Sequence, residues 1–237
     1  MNLRQNRKIQ IRILLVVIAL AISYAVNGLL RDDFEMWNAK GIDQLFALRT
    51  TVAVKPSDQQ GKIVHVDANL YLTRPQQAQI IHNLYRMNVD GLVIDYIFAG
   101  EVGEQDDRPL IDAVAGAQNV YPAMRFESLQ KHSGGVQHLL PPEEQEYFDQ
   151  TLWRPSPSGS TEAFYTGVKP EITFTALSEA SRGLGFINIL SDRDGMVRRT
   201  PLVVRYQSAY YPSLAFRAVC DYLGVSTDEI VVNPGRS

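Results

Sequence analysis

Two acids stand where a small polar ligand could be held. Asp67 closes the β-branched run Lys62-Ile-Val-His-Val-Asp67, and Asp95 closes Gly91-Leu-Val-Ile-Asp95. In an open α/β sheet, ligands bind in the crevice outside the C-terminal ends of parallel strands. Two carboxylates there could take an amine, a cation or sugar hydroxyls. Each could instead cap a neighbouring loop or pair with an arginine such as Arg74. A hydrolase built on the same acids would need them to converge at ~5–9 Å across a cleft.

A second constellation lies in Ser191-Asp-Arg-Asp-Gly195, followed by Met196-Val-Arg-Arg199. Asp192 and Asp194 invite a calcium reading, but such a loop needs acids at alternate positions and a distal glutamate, and Met196 and Val197 stand there instead. Asp194-Gly195 is strong hairpin chemistry. On the returning strand Arg198 and Arg199 must point to opposite faces. The inward one needs a carboxylate partner, for which Asp192 and Asp95 are the candidates. Asp67, Arg74, Asp95, Asp192, Arg198 and Arg199 are therefore the candidate ligand-binding residues.

Other chemistries lack their residues. No Gly-x-Ser-x-Gly elbow is present, and Ser156, Ser158 and Ser160 lie in linker-like sequence. The four histidines show no short zinc spacing, and the single cysteine, Cys220, sits in an apolar run. No catalytic residue, metal or cofactor is expected.

The elements that position these residues are legible in outline. Pro75 opens a helical pattern with Ile80, Ile81, Leu84 and Met87 on one face, closed by Asn88 and Gly91. With the runs ending at Asp67 and Asp95 this makes strand, helix, strand, which implies parallel pairing and a right-handed crossover. A helix capped by Asp106 or Asp107 and a strand at Asn119-Val-Tyr-Pro122 follow. From Glu127 to Gly167 turn chemistry dominates, interrupted by Tyr147, Phe148 and Trp153, which suggests a partly ordered excursion. Glu171 to Arg182 reads as a helix. Gly183 to Leu190 and Met196 to Arg205 read as a C-terminal hairpin, and Pro212-Ser213 starts a last helix that Gly224 closes. The fold class expected is α/β: a mixed sheet with a parallel βαβ core and a C-terminal β-hairpin, preceded by a transmembrane helix.

That helix is the uncharged run of 18 residues from Ile13 to Leu30. As a helix it is roughly 27 Å long, close to the ~30 Å of a bilayer core. Arg4, Arg7, Lys8 and Arg12 precede it, and Arg31, Asp32, Asp33 and Glu35 follow, which places the N-terminus in the cytoplasm and the rest outside. A cleaved signal peptide is the rival reading, with Ala19-Leu-Ala21 and Ser23-Tyr-Ala25 as cut sites, but apolar sequence continues past both. The boundaries expected are a basic leader 1–12, a transmembrane helix 13–30, a juxtamembrane helix 31–50, an outer domain 51–225 and a polar tail 226–237.

Charge narrows the partners. Of 23 Lys+Arg, setting aside the four in the leader leaves 19 against 26 Asp+Glu. An outer domain of net charge −7 has no electrostatic footprint for a phosphate backbone, so nucleic acid is disfavoured.

The order of these pieces resembles a known family. The membrane helix, the strand ending in Asp67, Arg74-Pro75, Gly91-Leu-Val-Ile-Asp95-Tyr-Ile-Phe98, Asp106-Asp107, Gly185-Phe-Ile-Asn188, Asp192-Arg-Asp-Gly-Met-Val-Arg198-Arg199 and Tyr211-Pro-Ser-Leu-Ala215 are similar to the CHASE family. These are the cyclase/histidine kinase-associated sensory extracellular domains, here of the second subtype, over roughly residues 30 to 225. The resemblance implies an extracytoplasmic sensor domain in the inner membrane of a bacterial receptor, for a small molecule or an envelope condition. It also implies a cytoplasmic output module, such as a histidine kinase, diguanylate cyclase or adenylate cyclase. A homodimer is a further expected partner. No second membrane-length run follows Leu30 before Ser237, so the output is expected beyond this chain or on a partner. The rival from another class is a membrane-anchored assembly module that binds a protein and no small ligand.

Overall fold

The computed structural model describes residues 3–52, 63–67, 72–131, 140–158 and 163–233. It divides into two compact units: 1–66 with 193–196, and 67–192 with 197–237.

The first unit holds two helices, α1 (Leu3–Leu29) and α2 (Arg31–Val52). They run on through Leu30, whose N–H donates to the Val26 carbonyl and whose carbonyl accepts from Phe34 N–H, both at 2.9 Å. The rod is ~75 Å long at ~1.5 Å per residue. Its window Gln10–Leu29 has mean hydropathy 2.0 and no buried residue, so by length and composition it can cross a membrane. Apolar side chains facing outward all round suit lipid and not a soluble core.

The second unit is a mixed α/β structure whose axis is the eleven-residue strand β2 (Val120–Gln130). The other strands are β1 (Leu92–Ile94), β3 (Ser156–Pro157), β4 (Thr166–Glu171), β5 (Gly185–Phe186), β6 (Val203–Tyr206), β7 (Ala209–Pro212) and β8 (Val231–Val232). The main sheet runs β1-β2-β4-β6-β7, with β5 also pairing β2, while β3 and β8 form a small sheet of their own. The first part of β2 pairs in parallel with β1 (Val93↔Tyr121) and β5 (Ala123↔Gly185), and the second part antiparallel with β4 (Ser128↔Val168). Burial follows from that: Val120 to Met124 are all buried, as a strand covered on both faces requires, and beyond Arg125 buried and exposed residues mix.

Helices lie on both faces of β2. The crossover α4 (Glu104–Ala117) joins β1 to β2, and packs with α3 (Arg74–Arg86) and α6 (Thr175–Ala180) over Val120 through Ile81, Leu110, Val114 and Leu177. On the opposite face Tyr121 and Ala123 meet Leu214 of α7 (Leu214–Leu223). Further along, α5 (Pro142–Gln150) inserts Phe148 into an aromatic cluster with Phe126, Tyr206 and Tyr211.

Several helix ends sit where sequence places them. Gln76 accepts the Thr73 N–H at 2.9 Å before α3, Ser213 accepts from Phe216 N–H at 3.4 Å, and Gly224 closes α7 at φ 66°. Four strand and helix expectations are corrected. Residues 63–67 are exposed, carry no regular secondary structure and pair with no described strand, so the parallel βαβ unit is β1-α4-β2 instead. Without that neighbour β1 is an edge strand, and Val93 is 51 % exposed. The stretch expected as one helix from Glu171 divides, because its first residues continue β4 against β2, and α6 starts only at Thr175. The C-terminal hairpin is β6–β7, turning at Gln207-Ser208, while the expected pairing reduces to one bridge, Leu190↔Arg199. Val204, Tyr206 and Tyr211 have a core to enter in that register; Ile189, Met196 and Val197 stay exposed.

Gly185 reports how closely β5 approaches α7. A Cβ there would lie 2.3 Å from the Leu214 Cα, a backbone atom that cannot step aside. Gly185→Ala should lower stability by ~1–3 kcal/mol through overpacking, read as a lower urea midpoint at unchanged m-value. An unchanged midpoint would contradict this packing.

Candidate functional site

The crevice expected beyond β1 is a loop, residues 95–103, built on buried polar groups. Phe98 N–H donates to Thr173 Oγ1 at 3.2 Å, and the Phe98 carbonyl accepts from Phe174 N–H at 2.9 Å. Thr173 Oγ1 in turn donates to the Ala123 carbonyl at 3.2 Å, and Ser178 Oγ to the Thr173 carbonyl at 2.7 Å. These hydroxyls fill the gap where β1 has left β2 and β4 has not yet joined it. Sheet hydrogen bonding passes through side chains there, so the Ala123 and Thr173 carbonyls are both satisfied.

Arg74 and Asp107 close the loop from above. One guanidinium nitrogen of Arg74 pairs with Asp107 Oδ1, and Nη2 donates to the Gly100 carbonyl at 2.6 Å. Asp107 Oδ2 accepts from Val102 N–H at 2.9 Å and Gly103 N–H at 3.0 Å. The guanidinium carbon lies 4.8 Å from the Phe174 ring centroid and 5.9 Å from that of Phe98. The two side chains keep only 11 % and 7 % of their surface in water. Burial alone would raise the Asp107 pKa, but the Gly103 and Val102 N–H groups and Arg74 outweigh it and hold the carboxyl below its ordinary range.

The structure thus separates the candidate residues. Arg74 is committed to Asp107 and Gly100. Asp95 and Asp67 are exposed and enter no ion pair among the described residues. Of the two adjacent arginines, Arg198 is the inward one, 9 % exposed, and its Nη1 lies 2.8 Å from Asp192 Oδ2. Arg199 is exposed opposite Leu190. The Asp194 carboxylate takes Met196 N–H at 3.1 Å, as a turn residue does. Among the described residues no group of three or more His, Cys, Asp or Glu gathers where a metal could sit.

Two residues carry more than sequence reasoning assigned. Asp107 reads as a helix cap but is the counter-ion of an arginine 33 positions away. Asn188 accepts from Phe126 N–H at 2.8 Å and donates to the Phe126 carbonyl at 2.7 Å, so its amide stands in for the next strand residue beyond β5. The signal for it was the Gly185-Phe-Ile-Asn188 motif.

This layout agrees with a comparison against known families: a model of the CHASE2 domain matches residues 13–234. The chain belongs to the CHASE2 family. CHASE2 domains are extracytoplasmic sensory domains, not catalytic ones, and typically sit in receptors with cytoplasmic output modules. Among the described residues of this CHASE2 chain, the one helix long and apolar enough to cross a membrane is near the N-terminus. No curated protein and no solved structure matches it.

Proposed function

We propose that this chain is the sensing part of a bacterial inner-membrane receptor, with residues 13–30 as an uncleaved anchor, 31–50 as a juxtamembrane helix and 51–225 as the sensor, leaving 226–237 as a polar tail. The observation that supports it best is that hydrogen bonds on both sides of Leu30, to Val26 and from Phe34, tie α1 to α2 across the single residue between them. A displacement of α2 would then be carried into α1 and so across the bilayer. For a ligand to drive such a shift it must bind the two states with different affinity. The output, a kinase or cyclase module, lies beyond this chain or on a partner, and a homodimer would bring two rods together.

Within the sensor, the residue offered to a ligand is Asp95. Arg74 and Arg198 are used by the fold, whereas Asp95 leaves β1 beside a loop that Arg74 and Asp107 hold in place. A small cation, amine or polyol is the matching ligand, with Asp67 and Arg199 as further contacts. An envelope condition remains the alternative stimulus.

Two measurements test this reading. A reporter active only outside the cytoplasm, fused after Gly224, should be active on a protein whose N-terminal sequence starts near Met1. A sequence beginning near Val26 would remove the anchor. Asp95→Asn should leave the melting temperature within about 2 °C of wild type while weakening the receptor's output response, since ~1 kcal/mol corresponds to ~2–4 °C in a domain of this size. A fall of about ten degrees would make Asp95 structural and withdraw it as a ligand contact.

A further inference from the structure

The helix α2 carries an apolar stripe that stays exposed. Phe34, Trp37, Gly41, Leu45, Leu48 and Val52 follow one another at steps of three, four, four, three and four residues. That spacing repeats every 11 residues in three turns, about 3.67 per turn, so the stripe runs nearly straight along the helix. The seven charged residues of α2 all fall outside it. Phe34 is 45 % exposed, Trp37 67 %, Leu45 68 % and Leu48 63 %. The half-buried Ala39, Ile42 and Asp43 lie off the stripe, roughly 100–160° around the helix at ~100° per residue. The Leu30 N–H bonds to the Val26 carbonyl and the Phe34 N–H to the Leu30 carbonyl, each four residues away, so the helical phase is kept where α1 meets α2. Continued into α1, the same spacing falls on Leu30, Val26 and Ser23, all uncharged.

Lipid does not cover the outer part of this stripe. Leu45 and Leu48 stand ~22 and ~27 Å past Leu30 at ~1.5 Å per residue. The headgroup layer reaches only ~5–8 Å beyond the hydrocarbon core. The cover must therefore be protein, with apolar groups at the same spacing and the same height above the membrane. A second copy of this chain meets both conditions. The shared anchor orientation makes two such helices parallel, and parallel in-register pairing sets each residue opposite its own counterpart across a two-fold axis. Any charged position in such a seam would repel itself, and this stripe has none. Burying its four large side chains removes on the order of several hundred Å2 per partner, at ~150–250 Å2 for a whole aromatic side chain. A standard interface buries ~800 Å2 per partner, and the continuation of the stripe in α1 adds to the contact.

We propose that the stripe from Phe34 to Val52 is the seam of a parallel homodimer, in which Phe34, Trp37, Leu45 and Leu48 of one protomer pack against the same residues of its partner. The seam rests on the reading of residues 13–30 as an uncleaved anchor, and it gives the two rods a defined face on which to meet.

The test uses the full chain in bacterial inner membranes, carrying Cys220→Ala so that each introduced cysteine is the only one. Under copper-phenanthroline oxidation, Trp37→Cys, Leu45→Cys and Leu48→Cys should form disulfide-linked dimer severalfold faster than Met36→Cys and Phe46→Cys. Met36 and Phe46 are exposed as well, at 39 % and 60 %, so the contrast reads which face is paired and not solvent access. Leu45→Asn with Leu48→Asn should slow cross-linking at Trp37→Cys severalfold, whereas Phe46→Asn should leave it unchanged. The proposal is overturned if cross-linking is equal at all five positions, peaks at Met36 or Phe46, joins the chain to a different protein, or does not occur. Resistance to alkaline carbonate extraction reports the anchor separately. A chain retained in the membrane without stripe-dependent cross-links loses the seam and keeps the anchor, while a chain released by carbonate loses both.

Discussion

Asp107→Asn is expected to destabilise the sensor unit by about 3–5 kcal/mol. The amide keeps the shape of the carboxylate but leaves the Arg74 guanidinium buried without its counter-ion, and its NH2 must face either that guanidinium or the N–H groups of Val102 and Gly103, which share one carboxylate oxygen. The melting temperature should fall by roughly 10 °C or more, at ~2–4 °C per kcal/mol. Arg74→Met with Asp107→Leu should recover much of that loss, because removing both charges removes the desolvation cost of each. If the single variant melts within two degrees of wild type, the pair is not the latch described here. Its acid response is equally specific. The folded-state pKa of Asp107 is depressed, so the latch contributes its full stability above the unfolded value near 3.9 and loses it as pH falls from there through the folded pKa. Wild type should therefore lose stability in that acid window more steeply than Asp107→Asn, measured by denaturant titration at successive pH values.

Phe148→Ala is expected to cost about 3–5 kcal/mol through lost burial and a residual cavity. Phe148 has no exposed surface, stacks on Tyr211 with ring centroids 4.0 Å apart at 6°, and meets the Tyr206 ring at 5.7 Å edge-on. Such ring pairs add ~0.5–1.5 kcal/mol beyond area. Burial and the nearby Asp149 and Tyr206 push the Tyr211 hydroxyl far above its ordinary pKa, so the cluster stays neutral through the physiological range. Phe148→Leu should retain most of the stability and lose mainly the stacking. A loss below about 1 kcal/mol for Phe148→Ala would mean that α5 lies on the core without being part of it.

That cluster shows where sequence reading stopped. Tyr147, Phe148 and Trp153 promise burial amid turn-forming residues, and all three are buried. Nothing local says that Tyr147 and Phe148 pack with Tyr206 and Tyr211, or Trp153 against Phe216, more than fifty residues later. The hairpin shows the same limit. Asp194-Gly195 does turn the chain, yet the ladder forms one turn later, at Gln207, because a period of two fits several registers and only burial of Val204, Tyr206 and Tyr211 chooses among them.

The sequence by itself determined what depends on neighbours within a few residues. The apolar run of α1 with its charged flanks, the start of α3 at Thr73-Arg-Pro75, the cap at Ser213 and the left-handed stop at Gly224 are all set by hydrogen bonds and solvation inside one or two helical turns. The Asp192–Arg198 pair belongs here too, since a short turn carries one to the other. Only the tertiary structure decided that β1 is an edge strand, that Arg74 is spent on Asp107, and that Asn188 and Thr173 complete the sheet around β2. The side-chain bonds among those choices link positions 33 to 62 residues apart. Contacts at that separation follow from which buried groups still need a partner once the core has closed, and no local pattern records it.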